Sequence, residues 1–304
     1  MNRRFLLLCV LSTVAVTYPA AAFAQEGTPA AATGEVQQFA EDTYAFVSGG
    51  YVSLFIVTDE GVIATDPGSQ GDPGRAEAYA AAIASVTDQP VRYVVYSHDH
   101  ADHATGGAVF ADTATFISHQ NAVAKLAALN DPNTPVPQIA FNDQLTLSLG
   151  GTTIELLYPG RNHSDNMIVL FHPEQRVLFA VDFIPVDSLL FMDLPDAYPD
   201  EWIESLRWID ENVDFDTLVI GHPPVSGTKE NVGQVRMYLE DLMASVRGAQ
   251  EQGLADNSPE MLEAVRADLE AGYGEWANFE EWLPLNIEGL IRIWASAPEA
   301  TPAA

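Results

Sequence analysis

His98-Asp99-His100-Ala101-Asp102-His103 places three imidazoles and two carboxylates within six residues, directly behind an apolar run. Imidazole nitrogens suit zinc and iron, a carboxylate adds an oxygen ligand and negative charge, and a catalytic zinc centre keeps one position open for water. The run Val91–Tyr96 reads as a buried strand bounded by Pro90 and Ser97, so the histidines stand at a strand end. On extended backbone His98 and His100 project to one side and can grip a single cation, while Asp102 and His103 fall past the bend. That division suggests two cations.

The hexapeptide resembles the H-x-H-x-D-H signature of the metallo-β-lactamase superfamily, and four further motifs of that family stand in order around it. Asp66 occupies the turn Thr65-Asp66-Pro67-Gly68 after the apolar run Gly61–Ala64. His163 lies in Gly160-Arg161-Asn162-His163-Ser164-Asp165-Asn166, Asp182 ends Leu178-Phe179-Ala180-Val181-Asp182, and His222 follows Leu218-Val219-Ile220-Gly221. The resemblance implies an α/β fold, a four-layer αββα sandwich. It also implies that His98, His100 and His163 hold one metal, that Asp102, His103 and His222 hold the other, and that Asp182 bridges them. Two zinc ions are expected, with iron or manganese as alternatives. Two metals ~3.5 to 4 Å apart can clamp one hydroxide and bring the pKa of water to about 7. Such a hydroxide would attack an acyl carbon in a β-lactam, a lactone or another ester. Asp102 would orient it and pass a proton to the leaving group, and Asp66 resembles the residue that braces the metal loop.

Two features of the motifs pull the substrate in different directions. His163-Ser164-Asp165-Asn166 resembles the H-T-x-D-N region of class B β-lactamases, one residue shorter. Asp182 stands where many of those enzymes carry cysteine, which resembles glyoxalase II and the lactonases instead. Glyoxalase II grips glutathione carboxylates with basic residues after its metal domain, but beyond His222 this chain offers only Lys229, Arg236, Arg247, Arg266 and Arg292. A mononuclear iron oxidoreductase resembling the persulfide dioxygenases is the rival enzyme class, and a non-catalytic metal-binding protein is a third reading. The apolar stretch from Phe183 to Met192 is expected to wall or cover a pocket for a small-molecule substrate. Phe183 and Phe191 would touch that substrate, with Tyr51 of Gly49-Gly50-Tyr51 opposite as a flap. His119 is expected to cap a helix or brace the site, and His172, before Pro173-Glu174, to be exposed.

The 304 residues are 47% hydrophobic, enough for a sizeable core. Arg3 and Arg4 precede the apolar run Phe5 to Val16, and Ala22-Phe23-Ala24 forms a small-x-small cleavage site. This reads as a secretory signal over residues 1–24, predicting a periplasmic or secreted protein with no membrane anchor after cleavage. The single cysteine, Cys9, falls inside that signal, so the mature chain has neither disulfides nor thiolate ligands. Thirteen basic residues against 43 acidic ones give a net charge of −30, which argues against nucleic acid as a partner.

Regular elements must carry these residues to one place. After a leader over residues 25–35, Thr43–Val47, Ser53–Val57 and Gly61–Thr65 read as a β-meander. A helix starts at Asp72-Pro73 and runs to Val86, ahead of the strand Val91–Tyr96. Strands are expected at Gln144–Leu149, Thr152–Tyr158, Met167–Phe171, Arg176–Val181 and Thr217–Ile220, with a helix from Asp200 to Ile209. The resulting domain spans residues 36–228. A helical segment over 229–295, with Tyr273, Trp276, Trp282 and Trp294 packed on the sandwich, precedes a tail at 296–304.

Overall fold

The computed structural model describes residues 33–68, 72 and 74–296. The signal segment, Cys9, Pro73 and most of the tail lie outside these residues. One sheet runs in spatial and chain order through β1 (Glu35–Gln38), β2 (Thr43–Ser48), β3 (Tyr51–Thr58), β4 (Gly61–Thr65), β5 (Val91–Val95), β6 (Thr115–His119) and β7 (Ile139–Phe141). The second contains β8 (Gln144–Leu149), β9 (Thr152–Leu157), β10 (Val169–His172), β11 (Val177–Val181), β12 (Thr217–Ile220) and β13 (Ser226–Gly227), again in order. The helices are α1 (Arg75–Val86), α2 (Ala101–Ala104), α3 (Gln120–Leu129), α4 (Pro199–Asn212), α5 (Glu230–Glu251), α6 (Pro259–Tyr273) and α7 (Phe279–Ser296).

Pairing is antiparallel from β1 to β4 and parallel from β4 to β7; the second sheet is antiparallel except for β11 and β12. Parallel neighbours cannot be joined by a tight turn. The chain crosses over through α1 between β4 and β5, through α3 between β6 and β7, and through α4 between β11 and β12.

Side-chain alternation along the first sheet splits the core in two. Leu54, Ile56, Ile63, Val95 and Ile117 pack toward the second sheet. Their sequence neighbours Phe55, Val62, Ala64, Val94 and Phe116 pack on the opposite face with Tyr79 and Ile83 of α1 and Leu126 of α3. Both faces of these strands are therefore covered, as parallel strands require. The second sheet shares its core with Trp202 and Leu206 of α4 and with the last three helices. The result is the expected α/β sandwich of four layers.

The C-terminal helices are joined to the layers by polar as well as apolar contacts. Asn286 of α7 is fully buried; its Oδ1 accepts from Tyr238 of α5 at 2.7 Å, and its Nδ2 donates to the carbonyls of Leu190 and Met192 at 2.9 and 2.6 Å. Tyr273, Trp276, Trp282 and Trp294 pack against the common core. Among the described residues no helix is long and apolar enough to cross a membrane.

His172 departs from expectation. It ends β10, an interior strand, and is only 1% exposed. The loop after β1 crosses the strand end and brings Asp42 Oδ2 to 3.1 Å from His172 Nε2. Pro173 signalled a turn, but the covering loop belongs to a segment 130 residues away in sequence.

Candidate metal centre

Three loop ends supply the centre. The first follows β5, where the chain turns at Ser97–His100 and enters α2 with His100 as its extended N-terminal flank. The second is the loop between β9 and β10, which carries His163. The third combines the ends of β11 and β12, whose parallel pairing sets Asp182 beside Gly221-His222. Backbone bonds stitch these ends across the two sheets, from Ile168 N to Ser97 O at 2.8 Å and from Val52 N to Gly221 O at 2.8 Å. A side chain at Gly221 would collide with Val181, Asp182 Oδ1 and His103, so glycine is what lets the two strand ends approach there.

Asp182 lies at the middle. Its Oδ2 is 3.3 Å from His103 Nε2, 3.6 Å from His163 Nε2 and 3.7 Å from His98 Nε2, and its Oδ1 is 3.2 Å from His222 Nε2. His100 Nδ1 faces His163 Nε2 at 3.1 Å, while Asp102 Oδ2 stands 3.4 Å from His103 Nε2 and 3.9 Å from His222 Nε2. The ligand atoms form two compact groups, His98 with His100, His163 and Asp182, and Asp102 with His103 and His222. All seven side chains singled out as metal ligands thus meet.

The remaining ring nitrogens explain the orientation of the imidazoles. His98 Nδ1 lies 2.9 Å from Ser97 Oγ, His100 Nε2 is 3.1 Å from both oxygens of Asp196, and His222 Nδ1 is 2.9 Å from Gly50 O. Asp66, 1% exposed, accepts from Ser97 N at 2.8 Å and turns its other oxygen toward His103 Nδ1 at 3.7 Å. Fixing one nitrogen of a histidine leaves the other free to present a lone pair. Asp196 and Ser97 had no motif to mark them. Asp196 is one of several acidic residues in an irregular loop, and only its approach to His100, across 96 residues of sequence, distinguishes it.

This donor set fits cations. His98 Nε2, His103 Nε2 and Asp182 Oδ1 are buried without a hydrogen-bond partner, an arrangement that costs free energy unless something positive satisfies them. Burial drives His98 well below the usual imidazole range, and burial holds His163 at about 4; both are therefore neutral, the form that binds metal. For His103 and His222 burial works against protonation, but Asp182 outweighs it and raises both. For His100, burial is outweighed by the Asp196 carboxylate. Burial pushes Asp182 up, yet His103 and His222 hold it well below the usual carboxylate range.

A cavity of about 780 Å³ opens over these groups, a size suited to a small organic molecule. His100, Asp102, His163, Asp182 and His222 reach its floor. Tyr51 stands at one side, its ring 5.2 Å from that of His222, just past the Gly49-Gly50 turn whose φ values are 60° and 86°. Phe191, 47% exposed, lines the other side with its ring edge on Trp282. Phe183 does not line it. After the turn that bonds Phe183 N to Ala180 O, this side chain enters the core and is fully buried, and its carbonyl accepts from Trp202 Nε1 at 3.0 Å. His119 caps α3, accepting from Asn121 N, and stacks on Tyr158 at 3.9 Å. Asp99 accepts from Asn166 Nδ2 and Lys125, bracing the two histidine loops against each other.

The model of the metallo-beta-lactamase superfamily matches residues 48–222. The chain belongs to that superfamily. The alpha subunit of 2,4-dinitroanisole O-demethylase from Nocardioides sp. (strain JS1661) is 31% identical over 182 residues, covering 59% of this chain and 54% of that relative. The chain thus spans about half the length of that subunit. Metallo-beta-lactamase type 2 from Bacteroides fragilis is 24% identical over 243 residues, covering 76% of this chain and 97% of the relative. Among solved structures, a metallo-beta-lactamase from Pontibacter korlensis superposes with a TM-score of 0.60 at 21% identity, over 68% of this chain and 99% of that one, which shows the shared fold. The family match ends at His222, so α5, α6 and α7, with Asn278 and Trp282 of the cavity, lie beyond it.

Proposed function

We propose that this chain is an exported, two-metal, zinc-dependent hydrolase that cleaves an acyl bond in a β-lactam, a lactone or another ester. The observation that carries this reading is the half-buried Asp182 carboxylate with four imidazole nitrogens 3.2–3.7 Å from its oxygens. His98, His100 and His163 would hold one cation, Asp102, His103 and His222 the other, with Asp182 between them. When bound, the cations would polarise a carbonyl oxygen and make water acidic enough to react near neutral pH. Asp102 is the group we assign to proton transfer: its carboxylate would take a proton from the attacking water and return it to the leaving group. Ser97, Asp196, Gly50 O and Asp66 keep the imidazoles aimed inward, so the site does not reorganise during reaction.

The 31% identity to the O-demethylase subunit favours a second reading, removal of a methyl group from an aryl ether at the same centre. Mature protein would be assayed for metal content and against lactams, lactones, thioesters, phosphodiesters and 2,4-dinitroanisole. The hydrolase reading expects two zinc ions per chain, turnover of an ester, lactone or lactam, and loss of turnover on chelation. One iron per chain with oxygen consumption would replace it by the oxidoreductase. Asp102→Ala should cut turnover by roughly 10² to 10⁴; activity above about one hundredth of wild type would remove Asp102 from its role. N-terminal sequencing of secreted material tests export, which predicts a chain starting at Gln25.

A further inference from the structure

The far side of the cavity joins a segment inside the family match to C-terminal parts of the chain beyond it. The segment after Asp182 passes Val186, Leu189, Leu190 and Phe191 along the cavity and closes with Pro195. It is tied to the C-terminal segment at several points. Leu189 N bonds to Ala277 O and Ala277 N to Asp187 O, Asn286 holds the carbonyls of Leu190 and Met192, and a side chain at Gly289 would collide with the Asp193 carbonyl. Trp282 of α7 then completes the wall against Phe191, their rings 5.5 Å apart. The polar groups on this wall are uncharged, Ser188 and Asn278, which bond to each other at 3.2 Å.

Charge is equally one-sided. Among the described residues no lysine or arginine lines the cavity. The basic side chains around it are engaged elsewhere: Arg292 with Asp193, Lys125 with Asp165 and Asp99, and Arg75 with the Pro67 carbonyl beneath Tyr51. A carboxylate resting on this wall would lose hydration and find no cation to replace it, in a protein whose net charge is −30.

We propose that the wall formed by Phe191, Trp282 and Leu189 is a subsite for an uncharged apolar group of the substrate, so that the enzyme selects neutral hydrophobic esters or lactones over carboxylate-bearing ones. The proposal rests on the hydrolase reading for the bond cleaved, but the subsite itself belongs to the wall. Each methylene buried there is worth about fourfold in affinity, and the selectivity resides in KM more than in kcat.

Binding and turnover separate the two ideas. Calorimetric titration of the full-length protein with N-octylacetamide, which has no ester to cleave, should show affinity at least about tenfold above that for the same amide ending in a carboxylate. Trp282→Ala and Phe191→Ala should each remove most of that difference; Phe191 is exposed enough that its truncation leaves the fold intact. Trp208→Ala, on the outer face of α4, should leave it unchanged. With zinc-loaded protein, the preference for para-nitrophenyl octanoate over its terminally carboxylated analogue should follow the same order in KM. Equal binding of the two amides, or a preference untouched by Trp282→Ala and Phe191→Ala, overturns the subsite. The expected binding pattern with no ester, lactone or lactam turned over by the zinc-loaded protein leaves the subsite standing and overturns the hydrolase reading.

Discussion

The cavity has a floor and a wall that are built on opposite principles. On the floor, buried nitrogens and oxygens lack protein partners and converge on one carboxylate. Behind the wall the buried Asn286 has every group satisfied by protein, and the surface left to the cavity is uncharged and mostly apolar, its polar groups Ser188 and Asn278 bonded to each other. An unsatisfied floor gains stability from cations bound in it, whereas a satisfied wall is complete without a ligand. The two regions should therefore respond differently to metal and to substitution.

The largest effect is expected on the floor. Asp182→Asn leaves the imidazoles in place but removes the negative charge shared by both ligand groups. Breaking a buried charge arrangement by removing one partner costs roughly 3–5 kcal/mol, or about 10² to 10⁴ in metal affinity. Metal content after dialysis against a weak chelator checks this, and an Asp182→Asn protein that keeps two metals would show that the floor does not depend on its central carboxylate. Asp196→Ala acts one shell further out. It frees His100 Nε2 and should weaken metal binding by roughly 10- to 100-fold, with turnover restored at saturating zinc.

Legibility from sequence divides along the same line. His98, His100, Asp102 and His103 were visible because ligand-type residues at short spacing behind a strand have little other use, and His163, Asp182 and His222 because they resemble the later superfamily motifs, in order along the chain. The layers came from the family resemblance: the pattern alone reads as mixed α and β, because an all-apolar run such as Leu54-Phe55-Ile56 does not show that its side chains divide between two cores. The wall was not. Phe183 and Phe191 read alike in an apolar stretch, yet a turn at 181–183 sends the first into the core and leaves the second on the cavity. Asp196 and Asn286 act through partners about 96 residues away in sequence, and no local pattern encodes such contacts.

On the wall, Asn286→Ala should leave metal content unchanged. It orphans the carbonyls of Leu190 and Met192 and the Tyr238 hydroxyl, for a loss of stability of about 1–3 kcal/mol, measured by urea unfolding. The accompanying shift of Phe191 should raise KM for a hydrophobic ester several-fold while kcat changes little. A fall in metal content instead would mean that floor and wall are one cooperative unit.

The smallest effect tests what makes the floor distinctive. His172 is as buried as His103, each 1% exposed, but its Nε2 already has Asp42 Oδ2 at 3.1 Å. Burial pushes the Asp42 carboxyl up, yet the hydrogen bond and charge of His172, with help from Thr43, hold it below its ordinary 3.8. A carboxyl more acidic in the folded than in the unfolded chain binds fewer protons when folded. Its contribution is therefore present above about pH 4 and is lost as pH falls through the folded value. Wild type should exceed Asp42→Asn in unfolding free energy, measured with urea at pH 6, by roughly 1 kcal/mol or less, and the gap should close as pH falls below about 4. Because His172 Nε2 has its partner in Asp42, the gap should be the same with zinc or with chelator. A gap that zinc widens would place His172 under the influence of the floor and erase the distinction between a buried histidine whose Nε2 has its carboxylate and one whose Nε2 awaits a cation.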